Sequence, residues 1–121
     1  SERLKKDKDL ALAAINNKYD AYEHMDETLQ QDKDIILATL KGFGWMLSKV
    51  PKKLQNDKDI VLAAVDNYPS ALEYASKKLK ADKEVVLAAA LGNVEALEFA
   101  SDELQADQAL KYLKRGYWGD E

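Results

Sequence analysis

The chain has 121 residues, 46% of them hydrophobic and 33% charged, and a net charge of −4. That composition can bury a core within one domain, and it is too apolar for an unfolded tail. Mild acidity withholds the clustered positive field that nucleic acid and anionic membranes attract. The absence of cysteine excludes disulfides and thiolate metal sites, and no apolar run reaches the roughly 20 residues of a membrane span. Ser1 to Asp9 is polar and charged, unlike a secretory leader. The expectation is a soluble, cytoplasmic, monomeric chain without membrane contact.

A step of 25 residues organises everything that follows. Asp7, Asp32, Asp57, Asp82 and Asp107 share one phase, and Leu4, Leu29, Leu54, Leu79 and Leu104 keep the same step three residues earlier. Leu12, Leu37, Leu62 and Leu87 form another series, followed by Ala13, Ala38, Ala63 and Ala88. Residues 51–75 and 76–100 are identical at 13 of 25 positions. Such register marks tandem units. They run 1–25, 26–50, 51–75 and 76–100, with a partial unit over 101–121, all within a single helical-repeat domain.

Each unit reads as two helices. The first begins at the aspartate, whose carboxylate can accept the free amides of a helix start and favours the positive end of the helix dipole. Asp59 or Glu84, two residues on, adds charge to the first turn. Six apolar or small residues follow, Ile60 to Val65 in the third unit. The segment stops at Asn17, Gly42, Asn67 and Gly92, residue types that tolerate the left-handed conformation after a helix end. The second helix is predicted to start near Tyr68-Pro69-Ser70, because proline suits a first helical position. It turns Ala71, Leu72 and Ala75 inward and Glu73 outward, and Leu47 and Leu97 share the phase of Leu72. Then "PKKL" or "SKKL" forms a short turn that drops Leu54 or Leu79 into the core. Val50-Pro51 marks a break there, since a residue before proline avoids the helical region.

One such unit cannot cover both faces of its first helix, but a stack can. The expected fold is all-α: an α-solenoid of about four 25-residue antiparallel helix pairs plus a C-terminal capping helix. In the last unit Lys111, Lys114 and Arg115 replace the apolar run, as a helix with one wet face requires. The N-terminal end is less polar around Ala11 and Ala14, and is expected to be the edge of a longer array.

The pattern L-x-x-D-x-x-[VI]-[VIL]-L-A-[AT]-[VLA], followed by A-L-x-[YF]-A-S, resembles domain of unknown function 4116, a repeat family of bacterial and protist proteins. Here it is carried by Leu54, Asp57, Ile60 to Val65 and Ala71 to Ser76, and again by Leu79, Asp82, Val85 to Ala90 and Ala96 to Ser101. The first two units depart from it, with "AYEHMD" and "MLSKVP" in place of "ALEYAS". The resemblance implies tandem helical repeats and no established activity, and it brings no catalytic residues with it.

Motifs for chemistry are sparse. "DKD" at 7–9, 32–34 and 57–59 has the spacing of paired oxygen ligands, but a calcium loop needs further ligands and a glycine. Helix capping accounts for both carboxylates. His24 is the only histidine, at a phase occupied elsewhere by Lys49, Tyr74 and Phe99, with no nucleophile beside it. No enzymatic activity, cofactor or metal site is expected.

Two surfaces remain. Arg3, Lys5, Lys6, Lys52, Lys53, Lys77, Lys78 and Lys80 fall just before the capping aspartates. A stack would align them, but Glu27, Thr28, Gln30 and Gln31 interrupt the strip in the second unit. It reads as a mixed-charge edge, with nucleic-acid binding through Lys52, Lys53, Lys77, Lys78 and Lys80 as the alternative. The inter-helix loops read "NKYD", "GFGW", "NYPS" and "GNVE". Their Tyr19, Phe43, Trp45 and Tyr68 either form a lid over the first helices or an edge that binds a protein. Phe43-Gly44-Trp45-Met46 is the outlying loop, where a site is sought first. Tyr117 and Trp118 are expected to close the C-terminal core. The function expected is an interaction or scaffold module for another protein or for flanking domains.

Overall fold

The structure, a computed structural model, describes residues 2–15 and 21–107, with side chains from Lys8 onward. The α-helices in chain order are α1 (Glu2–Ile15), α2 (Glu27–Gln30), α3 (Lys33–Gly42), α4 (Lys58–Asn67), α5 (Lys77–Lys80), α6 (Lys83–Gly92) and α7 (Asp102–Gln105). No strand occurs among the described residues. The ten-residue helices α3, α4 and α6 start 25 residues apart, as the sequence step requires.

Each of these helices starts as expected of a cap. Asp57 takes an extended conformation at φ −89° and ψ 117°, and its carboxylate accepts the amides of Asp59 and Ile60. Asp32 does the same for Asp34 and Ile35, and Asp82 for Val85. The exits differ from expectation. Gly42, Asn67 and Gly92 are the last helical residues, and the chain leaves through Phe43, Tyr68 and Asn93 at φ −140°, −140° and −159°. No left-handed residue ends these helices; Asn67 and Gly92 serve another purpose there, described below, and a Cβ at Gly42 would meet nothing within 4 Å. Asn17 lies outside the described residues.

In units two to four the second element is a six-residue 3₁₀ helix, not the α-helix predicted: Gly44–Lys49, Pro69–Tyr74 and Val94–Phe99. Reach explains it. Six residues span about 12 Å when wound as 3₁₀ but about 9 Å as α-helix, against about 15 Å for the ten-residue helix they must cover. Ala71, Leu72 and Ala75 are buried as predicted and Glu73 is exposed. Glutamines tend the exits of the 3₁₀ turns. Gln55 donates to the Leu47 carbonyl at 2.9 Å, Gln30 to Tyr22 at 3.0 Å, and Gln105 to Glu98 at 3.1 Å.

Helix α4 packs against α3 on one side and α6 on the other. Ile60, Val61, Ala64 and Val65 are almost inaccessible, so nearly every side is covered. The 3₁₀ segments form a second row, touching one another and the α-helices of their own and adjacent units. In the short turns Leu79 reaches the core, whereas Leu54 is only partly buried. Val50 is extended before Pro51, as expected. The expected capping helix is described only as far as α7 and Asp107; Lys111, Lys114, Arg115, Tyr117 and Trp118 lie outside the described residues. Among those described, no helix is long and apolar enough to cross a membrane.

Candidate interaction surface

The carboxylates of the "DKD" motif have a partner that the sequence reading overlooked: the lysine between them, reaching from the preceding unit. Lys33 Nζ lies 3.1 Å from Asp57 Oδ2 and 3.1 Å from Asp59 Oδ2. Lys8 bridges Asp32 and Asp34 at 3.2 and 2.8 Å, Lys58 bridges Asp82 and Glu84 at 3.1 and 2.7 Å, and Lys83 meets Asp107 at 3.3 Å. Lys8, Lys33, Lys58 and Lys83 themselves recur at 25 residues, a signal present in the sequence and not used.

Each capping carboxylate divides its oxygens. In Asp57, Oδ1 accepts the amides of its own helix while Oδ2 faces Lys33. Hydrogen bonds to Asp57 and Asp59 hold the Lys33 ammonium above its ordinary pKa, and those to Glu84 and Asp82 do the same for Lys58. For Asp57, partial burial pushes the pKa up, but Lys33 and the amides of Ile60 and Asp59 outweigh it and hold the carboxyl below its usual range. Asp82 behaves alike, burial being overcome by the Val85 amide and Lys58. The acids are therefore charge-paired structural groups. Among the described residues no cluster of three or more His, Cys, Asp or Glu converges on a metal-sized gap.

A second fastening joins units at the other end of the helices. Asn67 Oδ1 accepts the Gly44 amide at 2.6 Å, and its Nδ2 donates to the Lys41 carbonyl at 3.1 Å. In the next joint Pro69 stands where Gly44 stood, so there is no amide to accept. The residue opposite is then Gly92, and a Cβ there would lie 2.6 Å from Pro69 Cγ. Gly44 is just as constrained: a Cβ would collide with the Ala64 carbonyl and approach Tyr68 Cβ to 2.9 Å.

The loop aromatics separate. Tyr19 lies outside the described residues. Phe43 is partly buried against the core and lines an open groove of about 610 Å³ with Ile15, Leu37, Ala38 and Gly42, where Asp34 and Lys41 supply charge. Trp45 is 38% exposed and Tyr68 44%, while Met46 and Leu47 below are buried. Phe43 is thus turned partly to the core, whereas Trp45 and Tyr68 lie at the surface of adjacent units. The Glu73 charge, then partial burial, a hydrogen bond with Glu73 and the charge of Tyr68, raise the Tyr74 phenol above its ordinary value.

Of the candidate lysines, Lys52, Lys53, Lys77 and Lys78 are exposed, in the short turns before α4 and within α5. Lys80 is partly buried at the phase where Gln30, Gln55 and Gln105 turn to the backbone. Exposed acids flank the group, Glu27 in the unit before and Asp102 and Glu103 in the unit after. The side chains of Arg3, Lys5 and Lys6 are not among those described. His24 is exposed.

The profile of the domain of unknown function DUF4116 matches twice, over residues 32–80 and 57–105, so that the two windows overlap and together span more than half of the chain. The chain belongs to this family. Each match covers almost two of the 25-residue units, and the second is displaced from the first by one unit. No curated protein matches the chain, and no solved structure does.

Proposed function

We propose that this DUF4116 chain is an α-solenoid of about four 25-residue units with a C-terminal cap, and that it acts as a non-catalytic interaction or scaffold module. Its partner is another protein or a flanking domain, gripped by the edge formed by Trp45 and Tyr68 beside the Phe43 groove. The observation that carries the reading is the exposure of two large aromatic rings on adjacent units, at 38% and 44%. The fourth unit has Asn93 and Glu95 at the same phases, so the repeat does not need aromatics there. Positions that the stack does need, such as Leu47, Leu72 and Leu97, recur in all three units. Large aromatic rings are among the usual centres of binding energy at protein interfaces.

The test is capture from source lysate with the wild-type chain, Trp45→Ala and Tyr68→Ala, with helicity followed by circular dichroism. Retained helicity with weakened capture supports the reading. Unchanged capture, or helicity lost with Trp45→Ala, refutes it and returns the rings to the core. Lys52, Lys53, Lys77 and Lys78 support the second reading, a nucleic-acid edge, by being exposed and neighbouring. That edge demands affinity that falls steeply with salt. No shift with DNA or RNA at low salt dismisses it.

A further inference from the structure

Helix α1 is covered on only part of the face that its three sister helices bury. Ala11 and Ile15 are buried, as are their equivalents Ile36 and Leu40 in α3. Leu10, however, is 69% exposed, while its equivalents Ile35, Ile60 and Val85 are each 0% exposed. Ala14 is exposed, while Thr39, Ala64 and Ala89 at its phase are buried.

The direction in which this face points is given by α4. The Ala64 carbonyl lies against Gly44, in the preceding unit, and Ile60 stands one turn earlier on the same face. The charge beside the face is matched too. Asp34, Asp59 and Glu84 each receive a lysine from the unit before. Asp9, at their phase, is exposed.

We infer that the Leu10–Ala14 face of α1 is a docking surface for one further helical unit of this same type. Its occupant is a capped ten-residue helix whose lysine, directly after the capping aspartate, reaches Asp9. This rests on the stacked reading proposed above, but not on the aromatic edge. Leu10 supplies the apolar contact that isoleucine or valine supplies at the inner joints. Ala13 and Ala14 permit the close approach that Ala63 and Ala64 permit in α4.

The test joins a copy of residues 51–75 directly ahead of Ser1. Ser1 shares the phase of Ser76, so the 25-residue register is kept and the copied Lys58 falls 26 positions before Asp9. The expected result is one cooperative transition with Tm raised by roughly 5 °C or more, and α1 amide exchange slowed at least about tenfold. Leu10→Glu in the extended chain cancels both effects, and a scrambled copy of equal composition produces neither. An added unit that stays exchange-labile with Tm unchanged overturns the inference. A concentration-dependent dimer of the 121-residue chain that Leu10→Glu dissolves also overturns it, by assigning the face to a second copy. Amides of α3, α4 and α6 are the control: their protection, kept while docking fails, separates loss of this inference from loss of the stacked reading.

Discussion

The pairing of Asn67 with Gly44, and of Gly92 with Pro69, makes a demanding prediction about the joints. Asn67→Ala removes one hydrogen bond of 2.6 Å to the amide of the buried Gly44 and one of 3.1 Å to the exposed Lys41 carbonyl. The exposed bond is replaced by water at little cost. The Gly44 amide is left poorly satisfied, so the loss is about 1.5 kcal/mol. In a chain of this size that lowers Tm by roughly 5–9 °C. At the next joint the chemistry reverses. Gly92→Asn places its Cβ 2.6 Å from Pro69 Cγ and is destabilising by about 1–3 kcal/mol. Pro69→Gly restores both the space and the amide, so the introduced asparagine can make the bond that Asn67 makes. Urea unfolding of the wild type, both single variants and the double variant gives the coupling directly. The expected coupling is favourable and at least about 1 kcal/mol. Gly92→Asn equally harmful with Pro69 in place and in the Pro69→Gly background, within about 0.5 kcal/mol, refutes the complementarity.

Asp57→Ala loses both the cap and the Lys33 bridge, and the cap's share, about 1 kcal/mol, persists in molar salt. Asp57→Asn keeps an acceptor for the amides and loses only the Lys33 bridge, so its deficit fades in molar salt; equal and salt-independent losses in a salt series contradict this. Asp34, Asp57 and Asp82 have lowered folded pKa values. Their contribution is therefore present above the ordinary carboxylate range and is lost as pH falls through the lowered values, so the urea midpoint should drop on acidification, and less so in high salt. A midpoint flat through that window contradicts the ladder. Leu72→Ala, at a fully buried position, is expected to be destabilising by about 2–5 kcal/mol, whereas the neighbouring Glu73→Ala stays within about 0.5 kcal/mol; similar losses in thermal melts would place the 3₁₀ face wrongly.

The starts of α3, α4 and α6 were legible because one side chain does the job locally: an aspartate that caps needs only the amides two and three residues on. The start of α1 was misread, since that helix begins at Glu2 and runs through Asp7 instead of starting there. The inward set Ala71, Leu72 and Ala75 was legible for a related reason, since either winding puts those positions on one side. The 3₁₀ geometry was not legible, because nothing in "PSALEY" states how long a helix it must cover. The ends were misread for a different reason. Gly42, Asn67 and Gly92 look like one class of helix terminator, yet Asn67 and Gly92 answer to residues 23 positions earlier, Gly44 and Pro69. The ladder lysines were as regular as the capping aspartates, but only the partner's position across a joint gives that regularity meaning. The aromatic loop divided for want of depth information: Phe43 and Tyr68 share a phase, and only packing tells that Phe43 turns to the core.

The joints also show how register is specified. Adjacent α-helices that are apolar on nearly every side offer little resistance to sliding, because alanine and valine pack acceptably against many neighbours. A slide by one helical turn, about 5.4 Å, would separate every lysine from its acids. At the opposite end the Gly44 amide would leave Asn67, and Pro69 would leave the space kept open by Gly92. Each ion pair alone contributes little at a solvent-facing site. Lys8, Lys33 and Lys58 stand in series, each tied to the carboxylate that also caps a helix, with Lys83 on Asp107 beyond them, and they act together against the same displacement. The charged fastening is nearly identical at every joint, while the fastening at the loop end varies between joints. The end that differs is the one where Trp45 and Tyr68 stand, next to Gly44 and Asn67.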